Sequence, residues 1–123
     1  MRNFRALKVW EKSHRLVLAV YKATGTFPRE ETYGLTAQLR RCCASIPANV
    51  AEGCGRGSDA EIGRFMLIAM GSASELDYHL LLAHDLGYLG AQDYQELSQR
   101  TAEVKRMLLT FLTRVRPTNK PTS

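Results

Sequence analysis

Ile62, Phe65, Met66, Ala69, Ala73, Leu76, Leu80 and Ala83 recur at spacings of three and four. That period holds all eight on one side of an α-helix of some seven turns, roughly 40 Å long at the standard rise. Ser58-Asp59-Ala60-Glu61 has the form of a capping box that opens this helix, and Gly87 is placed to stop it. A helix so long with one apolar face must have that face covered. With no strand signal elsewhere, the cover has to come from other helices.

Three further segments supply them. Between about Phe4 and Thr24, Trp10, His14, Val17 and Tyr21 predict one core face, ending at Gly25. Phe27-Pro28 then forces an extended connection. A second helix is predicted from Thr32, its hydroxyl as the cap, with Leu35, Leu39, Cys42, Ile46 and Val50 as its stripe and Gly53 and Gly55 at its end. Pro47 predicts a kink in that helix, or its division into two pieces. After Gly90, Tyr94, Leu97, Val104, Leu108, Phe111, Leu112 and Val115 form a fourth stripe. The expected architecture is all-α, an antiparallel up-and-down four-helix bundle over residues 1–116, followed by a polar, proline-containing tail over 117–123 that is predicted to be disordered.

Two faces opposite the core stripes are small or apolar where a solvated surface is usually charged. They are Ala37, Ala44, Ala48 and Ala51 on the second helix, and Leu67, Gly71, Ser74, Tyr78 and Leu82 on the third. Close approach by another helix or another subunit is the implication. Ala44, Ala48, Ala51, Leu67, Gly71 and Tyr78 are the candidate oligomer contacts.

The residues that carry chemistry give little. His14 falls on a predicted core face, His79 has only Glu75 four residues earlier, and His79 and His84 do not share a face. The inward Glu-x-x-His ligands of di-metal bundles are missing, and Glu75, Asp77, Glu96 and Glu103 fall beside or outside the apolar stripes. Cys42 and Cys43 could be activated by Arg40 and Arg41, yet Cys42 lies on the core stripe with Cys43 beside it, and burial as small hydrophobes is the favoured reading. Gly53-Cys54-Gly55-Arg56-Gly57 lacks a phosphate-loop lysine motif and is read as a turn between helices. Gln38, Arg41, Ser45, Asn49 and Glu52 form a polar row that either binds a ligand or satisfies backbone groups around Pro47. No catalytic residue, cofactor site or metal site is expected.

Charge is more informative. Seventeen Lys and Arg against twelve Asp and Glu give +5, and twelve of the seventeen are arginine. Arginine suits bidentate phosphate contacts, so an anionic partner is favoured, with solubility as the competing explanation. Arg40, Arg41, Arg56 and Arg64 are the candidate nucleic-acid contacts. Arg2, Arg5 and Lys8 stand at one terminus and Arg114, Arg116 and Lys120 at the other. Three cysteines, two of them adjacent, are a poor disulfide framework and suit a reducing cytoplasm. Neither a signal-peptide core nor a membrane-length apolar run is found.

The strings YGL, QLRR, SIPANVAEG and GSASEL, set in the segments FRALKVWEKSHRLVLAVYKAT, FPREETYGLTAQLRRCCASIPANVAEGCGR and RFMLIAMGSASELDYHLLLAHDLGYL, resemble the proteins encoded within intervening sequences of 23S ribosomal RNA genes. The resemblance runs from Phe4 to Leu112. It implies a small bacterial cytoplasmic four-helix bundle assembled as a homopentameric ring, with a poorly defined role. At the level of fold it extends to the accessory protein of diversity-generating retroelements, a basic pentamer that associates with reverse transcriptase and nucleic acid, although that protein's sequence pattern is not matched. The family commonly has small residues where Cys42 and Cys43 stand, which implies packing over thiol chemistry. Two functions follow as expectations: an oligomeric, non-enzymatic bundle that binds RNA or DNA through repeated arginines, or a protein-interaction scaffold that does not touch nucleic acid. A nuclease is the remaining alternative.

Overall fold

A computed structural model describes residues 2–115. Arg116 and the predicted tail over 117–123 lie outside the described residues. A single 3-10 turn, Phe4–Ala6, precedes helix α1 (Lys8–Thr24), and a second, Arg29–Glu31, leads into α2 (Leu35–Cys54). The long α3 (Asp59–Asp85) and α4 (Ala91–Val115) complete the chain. Each helix packs on two neighbours in the order α1, α2, α3, α4 and back to α1, and the diagonal pairs do not meet among the described residues. This is the expected four-helix bundle.

The core forms where the period-3.6 stripes converge. Every predicted stripe residue of α2 and of α3 is buried. On α4, Leu97, Val104, Leu108, Leu112 and Val115 are buried with Thr101, while Tyr94 and Phe111 sit half-buried at the rim. Full burial of a side chain such as Leu39, Ile46, Leu76 or Leu108 contributes about 1.5–3 kcal/mol.

On α1 the structure corrects the sequence. The buried face is Val9, Ser13, Leu16, Val20 and Thr24, about a quarter-turn from the predicted one. His14 is exposed and stacks on Trp10, with ring centroids 5.0 Å apart, and Tyr21 is 44% exposed. Two hydroxyl residues can occupy the core because each bonds the preceding turn. Ser13 Oγ donates to the Trp10 carbonyl at 2.9 Å and Thr24 Oγ1 to that of Val20 at 2.8 Å. Leu16 and Val20 then fill the centre, and the bulkier Trp10 stays half-buried at the edge.

The start of α2 also differs. Thr32 does not cap it; its hydroxyl donates to the Arg29 carbonyl at 2.7 Å. Glu31 does the capping, with Oε1 accepting the Leu35 N–H at 3.0 Å, while its Oε2 accepts the Tyr88 hydroxyl at 3.1 Å and joins the two connections at that end. Pro47 lies inside one continuous helix, so α2 is not divided in two. Nearby, Asn49 Nδ2 donates to the Ser45 carbonyl at 2.8 Å and to Ser45 Oγ at 2.9 Å, and Ser45 Oγ meets Ser72 Oγ of α3 at 2.8 Å. The polar row is therefore in part an internal network between α2 and α3.

At the α2–α3 turn, Ser58 Oγ accepts the Glu61 N–H at 3.2 Å, the expected cap. Gly53 is needed for its size: a Cβ there would lie 2.9 Å from Phe65 Cβ, well inside van der Waals contact. Gly71 is the opposite case, since a Cβ there meets nothing within 4 Å. Gly53→Ala is expected to destabilise the fold by about 1–3 kcal/mol in denaturant unfolding, because overpacking outweighs the gain in helix propensity. Gly71→Ala should leave the isolated chain as stable or up to about 1 kcal/mol more so.

Candidate nucleic-acid interface

Short connections in an up-and-down bundle gather the N-termini of α1 and α3 and the C-termini of α2 and α4 at one end. The backbone fastens this end, because the Arg2 N–H donates to the Cys54 carbonyl at 3.0 Å. That bond ties the N-terminal segment to the end of α2, and residues of this segment and of α4 line a groove of about 700 Å³. Its walls carry Arg2, Lys8, Arg106 and Arg114, and its apolar lining includes Phe111 and Met107. The Arg2 guanidinium lies over the Phe111 ring, 5.5 Å from the centroid. The one carboxylate lining the groove, Glu103, is already turned to Lys12 at 3.5 Å. Among the described residues, none of the four groove cations has a carboxylate within 4.0 Å.

The four arginines singled out from the sequence fall into two places. Arg40 and Arg41 lie near the start of α2, roughly 20 Å along the helix from its end. Arg40 faces α1: Nε donates to Thr24 Oγ1 at 2.9 Å, an Nη donates to the Tyr21 carbonyl at 3.3 Å, and the guanidinium lies 4.6 Å from the Tyr21 ring centroid. A cation on the last carbonyls of α1 also complements that helix's dipole. Arg41 is exposed, bonded to Gln38 Oε1 and paired with Glu75 at 3.3 Å. Arg56 and Arg64 lie at the groove's end of the bundle. Both sit over the Phe65 ring, at 5.1 and 4.5 Å, and they pair with Glu52 at 3.2 Å and Glu61 at 2.8 Å. The Arg64 contact holds the Glu61 carboxyl below the usual carboxylate range. Such exposed pairs are screened by water and hold only weakly, so a phosphate can displace them.

The sequence does not single out Arg106, and it leaves Arg2, Lys8 and Arg114 scattered over two termini. Their only common signal is a basic residue near a helix end that the bundle order brings together.

Cysteine and histidine placements are mixed. All three cysteines are free and buried. Burial, joined by the Glu75 charge, raises the Cys42 thiol to about 11, and burial beside Cys42 raises Cys43 to about 12. Burial also raises Cys54, against the nearby Arg2. Thiols held this high are protonated at neutral pH when no metal is bound, and so are not free nucleophiles. His84 is half-buried, stacked on Tyr94 at 4.6 Å, with Nδ1 2.9 Å from the Leu89 carbonyl. His79, for which the sequence offers only Glu75, has a second neighbour across the helix interface, Cys42 Sγ at 3.9 Å.

The model of the family described as "23S rRNA-intervening sequence protein" matches residues 5–110. The chain belongs to that family. Among solved structures it is similar to a crystal structure from Bacteroides thetaiotaomicron, described as a protein of unknown function from the S23 ribosomal protein family. The two share 23% identity and a TM-score of 0.76, over 85% of this chain and 97% of the other. At that identity the likeness shows the fold. A search of curated proteins finds no match. Within the family fold, no helix among the described residues is long and apolar enough to cross a membrane.

The contacts separate structural from available arginines. Arg40→Ala should cost about 1–3 kcal/mol in denaturant unfolding, since it removes two hydrogen bonds from a cation and a ring contact. Arg114→Ala should change stability by no more than about 0.5 kcal/mol.

Proposed function

We propose that this family member is a non-enzymatic binding protein for single-stranded nucleic acid, RNA or DNA, with the groove between the N-terminal segment and α4 as its principal contact. The observation that carries this is the convergence of Arg2, Lys8, Arg106 and Arg114 around the Phe111 ring. Guanidinium and ammonium groups take phosphates, and an aromatic ring beside them takes a base face, the combination on which sequence-tolerant single-strand binding rests. Arg56 and Arg64 extend the path at the same end, and Arg41 adds a more distant exposed contact. Arg40 is the weakest of the four original candidates, because its donors already have partners on α1. Free, buried thiols suit a reducing cytoplasm, where we place the protein.

A fluorescently labelled RNA oligonucleotide should bind with an affinity that falls steeply between low and moderate salt. Arg106→Ala with Arg114→Ala should weaken it at least about tenfold and lower the salt slope by about two. An affinity indifferent to salt, or unmoved by that double variant, overturns the groove assignment. Retention in the groove variant with loss in Arg56→Ala with Arg64→Ala would move the site to the α2–α3 turn.

A specific surface favours self-association as a second element of the function. The outward face of α3 carries Leu67, Ile68, Tyr78 and Leu81, each between 41 and 59% exposed, with Gly71 open between them. Beside it on α2, Ala48 is exposed and Ala44 and Ala51 are half-buried. We propose that a second copy covers this face and that a ring of copies, a pentamer as the family resemblance implies, repeats the basic groove. A protein-interaction scaffold would use the same face for another protein. Light scattering at micromolar concentration should report an oligomer, and Leu67→Asp with Tyr78→Asp should reduce it to a monomer with unchanged helicity. A wild-type monomer overturns the self-association proposal.

A further inference from the structure

Cys42, Glu75 and His79 bring three ligand atoms within 4.8 Å of one another, and among the described residues no other group of three does so. Glu75 and His79 are four apart on α3, so their side chains project to one side, and Cys42 faces them from α2. Cys42 Sγ lies 3.9 Å from His79 Nδ1, and Glu75 Oε2 lies 3.8 Å from the same nitrogen. We propose that these three residues bind a divalent transition-metal ion of the zinc class, with a fourth position left to solvent.

The donor set selects the class of ion. A thiolate, an imidazole and one carboxylate suit borderline-soft ions such as zinc and disfavour calcium and magnesium, which take oxygen shells. The spacing fits as well. Metal bonds of about 2.3 Å to sulfur and about 2.0 Å to nitrogen and oxygen, at the tetrahedral angle, separate sulfur from nitrogen by about 3.6 Å and nitrogen from oxygen by about 3.3 Å. Both observed distances lie within about half an ångström of these, so small torsions would close the site.

A thiol–imidazole–carboxylate relay is the competing assignment, and the geometry speaks against it. In a relay the thiol and the carboxylate meet opposite ring nitrogens. Here both approach Nδ1, so the three donors converge on a point between them. Cys42 is also only 1% exposed, a poor position for a nucleophile. Arg41 now stands where part of the metal's charge would be, 3.3 Å from Glu75 Oε2, and on the exposed surface its guanidinium is free to swing away. Binding displaces the Cys42 proton to solvent, as thiolate ligation requires.

The test is titration of the fully reduced protein with Co²⁺, a spectroscopic stand-in for zinc. One equivalent should produce a thiolate-to-cobalt charge-transfer band with the intense visible bands of a four-coordinate ion, and Zn²⁺ should displace it. Cys42→Ala should abolish the charge-transfer band, whereas Cys43→Ala and Cys54→Ala should keep it. Glu75→Gln and His79→Gln should weaken binding at least about tenfold, the loss typical of a disturbed metal site. Arg41→Ala should tighten binding by removing a competing cation. A wild-type protein without the band overturns the proposal, as does a band that survives in Cys42→Ala. If Cys42→Ala does not fold, the half-exposed Glu75→Gln decides: unchanged cobalt affinity overturns the site. The outcome is distinguishable from nucleic-acid binding, because none of Cys42, Glu75 and His79 is among the proposed nucleic-acid contacts.

Discussion

The close approach of α2 and α3 is the constraint on which most of the molecule depends. It requires Gly53, where even one carbon would strike Phe65. It also needs small polar groups at mid-length, where Ser45 and Ser72 meet hydroxyl to hydroxyl. Helices drawn this near cannot separate like a looser pair, so polar side chains along the seam must satisfy one another. Asn49 on Ser45, Arg41 on Glu75 and Cys42 beside His79 all belong to that seam. Pro47, which would break a solitary helix, is accommodated because its side chain is buried and its neighbours are fixed by partners from the next helix.

Bundle order sorts charge as strictly as it sorts apolar surface. Residues far apart in sequence share an end because every second terminus lies there, and the basic groove arises in this way from Arg2, Lys8, Arg106 and Arg114. The opposite end is closed by a carboxylate: Glu31 caps α2 with one oxygen and holds Tyr88 with the other. That contact raises the tyrosine's pKa. One end thus collects cations with spare hydrogen-bonding capacity, while the other uses its charge internally.

Legibility in the sequence followed the range of the interaction. The stripes of α2, α3 and α4, the cap at Ser58 and the stop at Gly87, whose φ of 82° favours glycine, are local, and they were readable from spacing alone. The face of α1 was not, because Trp10 and Tyr21 draw attention by size while Ser13 and Thr24 enter the core through bonds to their own backbone. The groove and the Cys42–Glu75–His79 trio join elements distant in sequence, and no periodicity encodes such a meeting. Arg40 illustrates the same limit: composition counts it as a free cation, and only the tertiary contact with Thr24 and Tyr21 reveals that it is engaged.

The stacking of Arg56 and Arg64 on one phenylalanine has a thermodynamic corollary. A mobile arginine loses rotamer entropy when it grips a ligand, about 0.5–1.5 kcal/mol for each immobilised side chain. Here both guanidiniums are already held over the Phe65 ring, itself only 8% exposed, and steadied by Glu52 and Glu61. Part of that ordering cost is met during folding, because both side chains already rest on one ring. A partner with closely spaced anions would meet two cations gathered in one place.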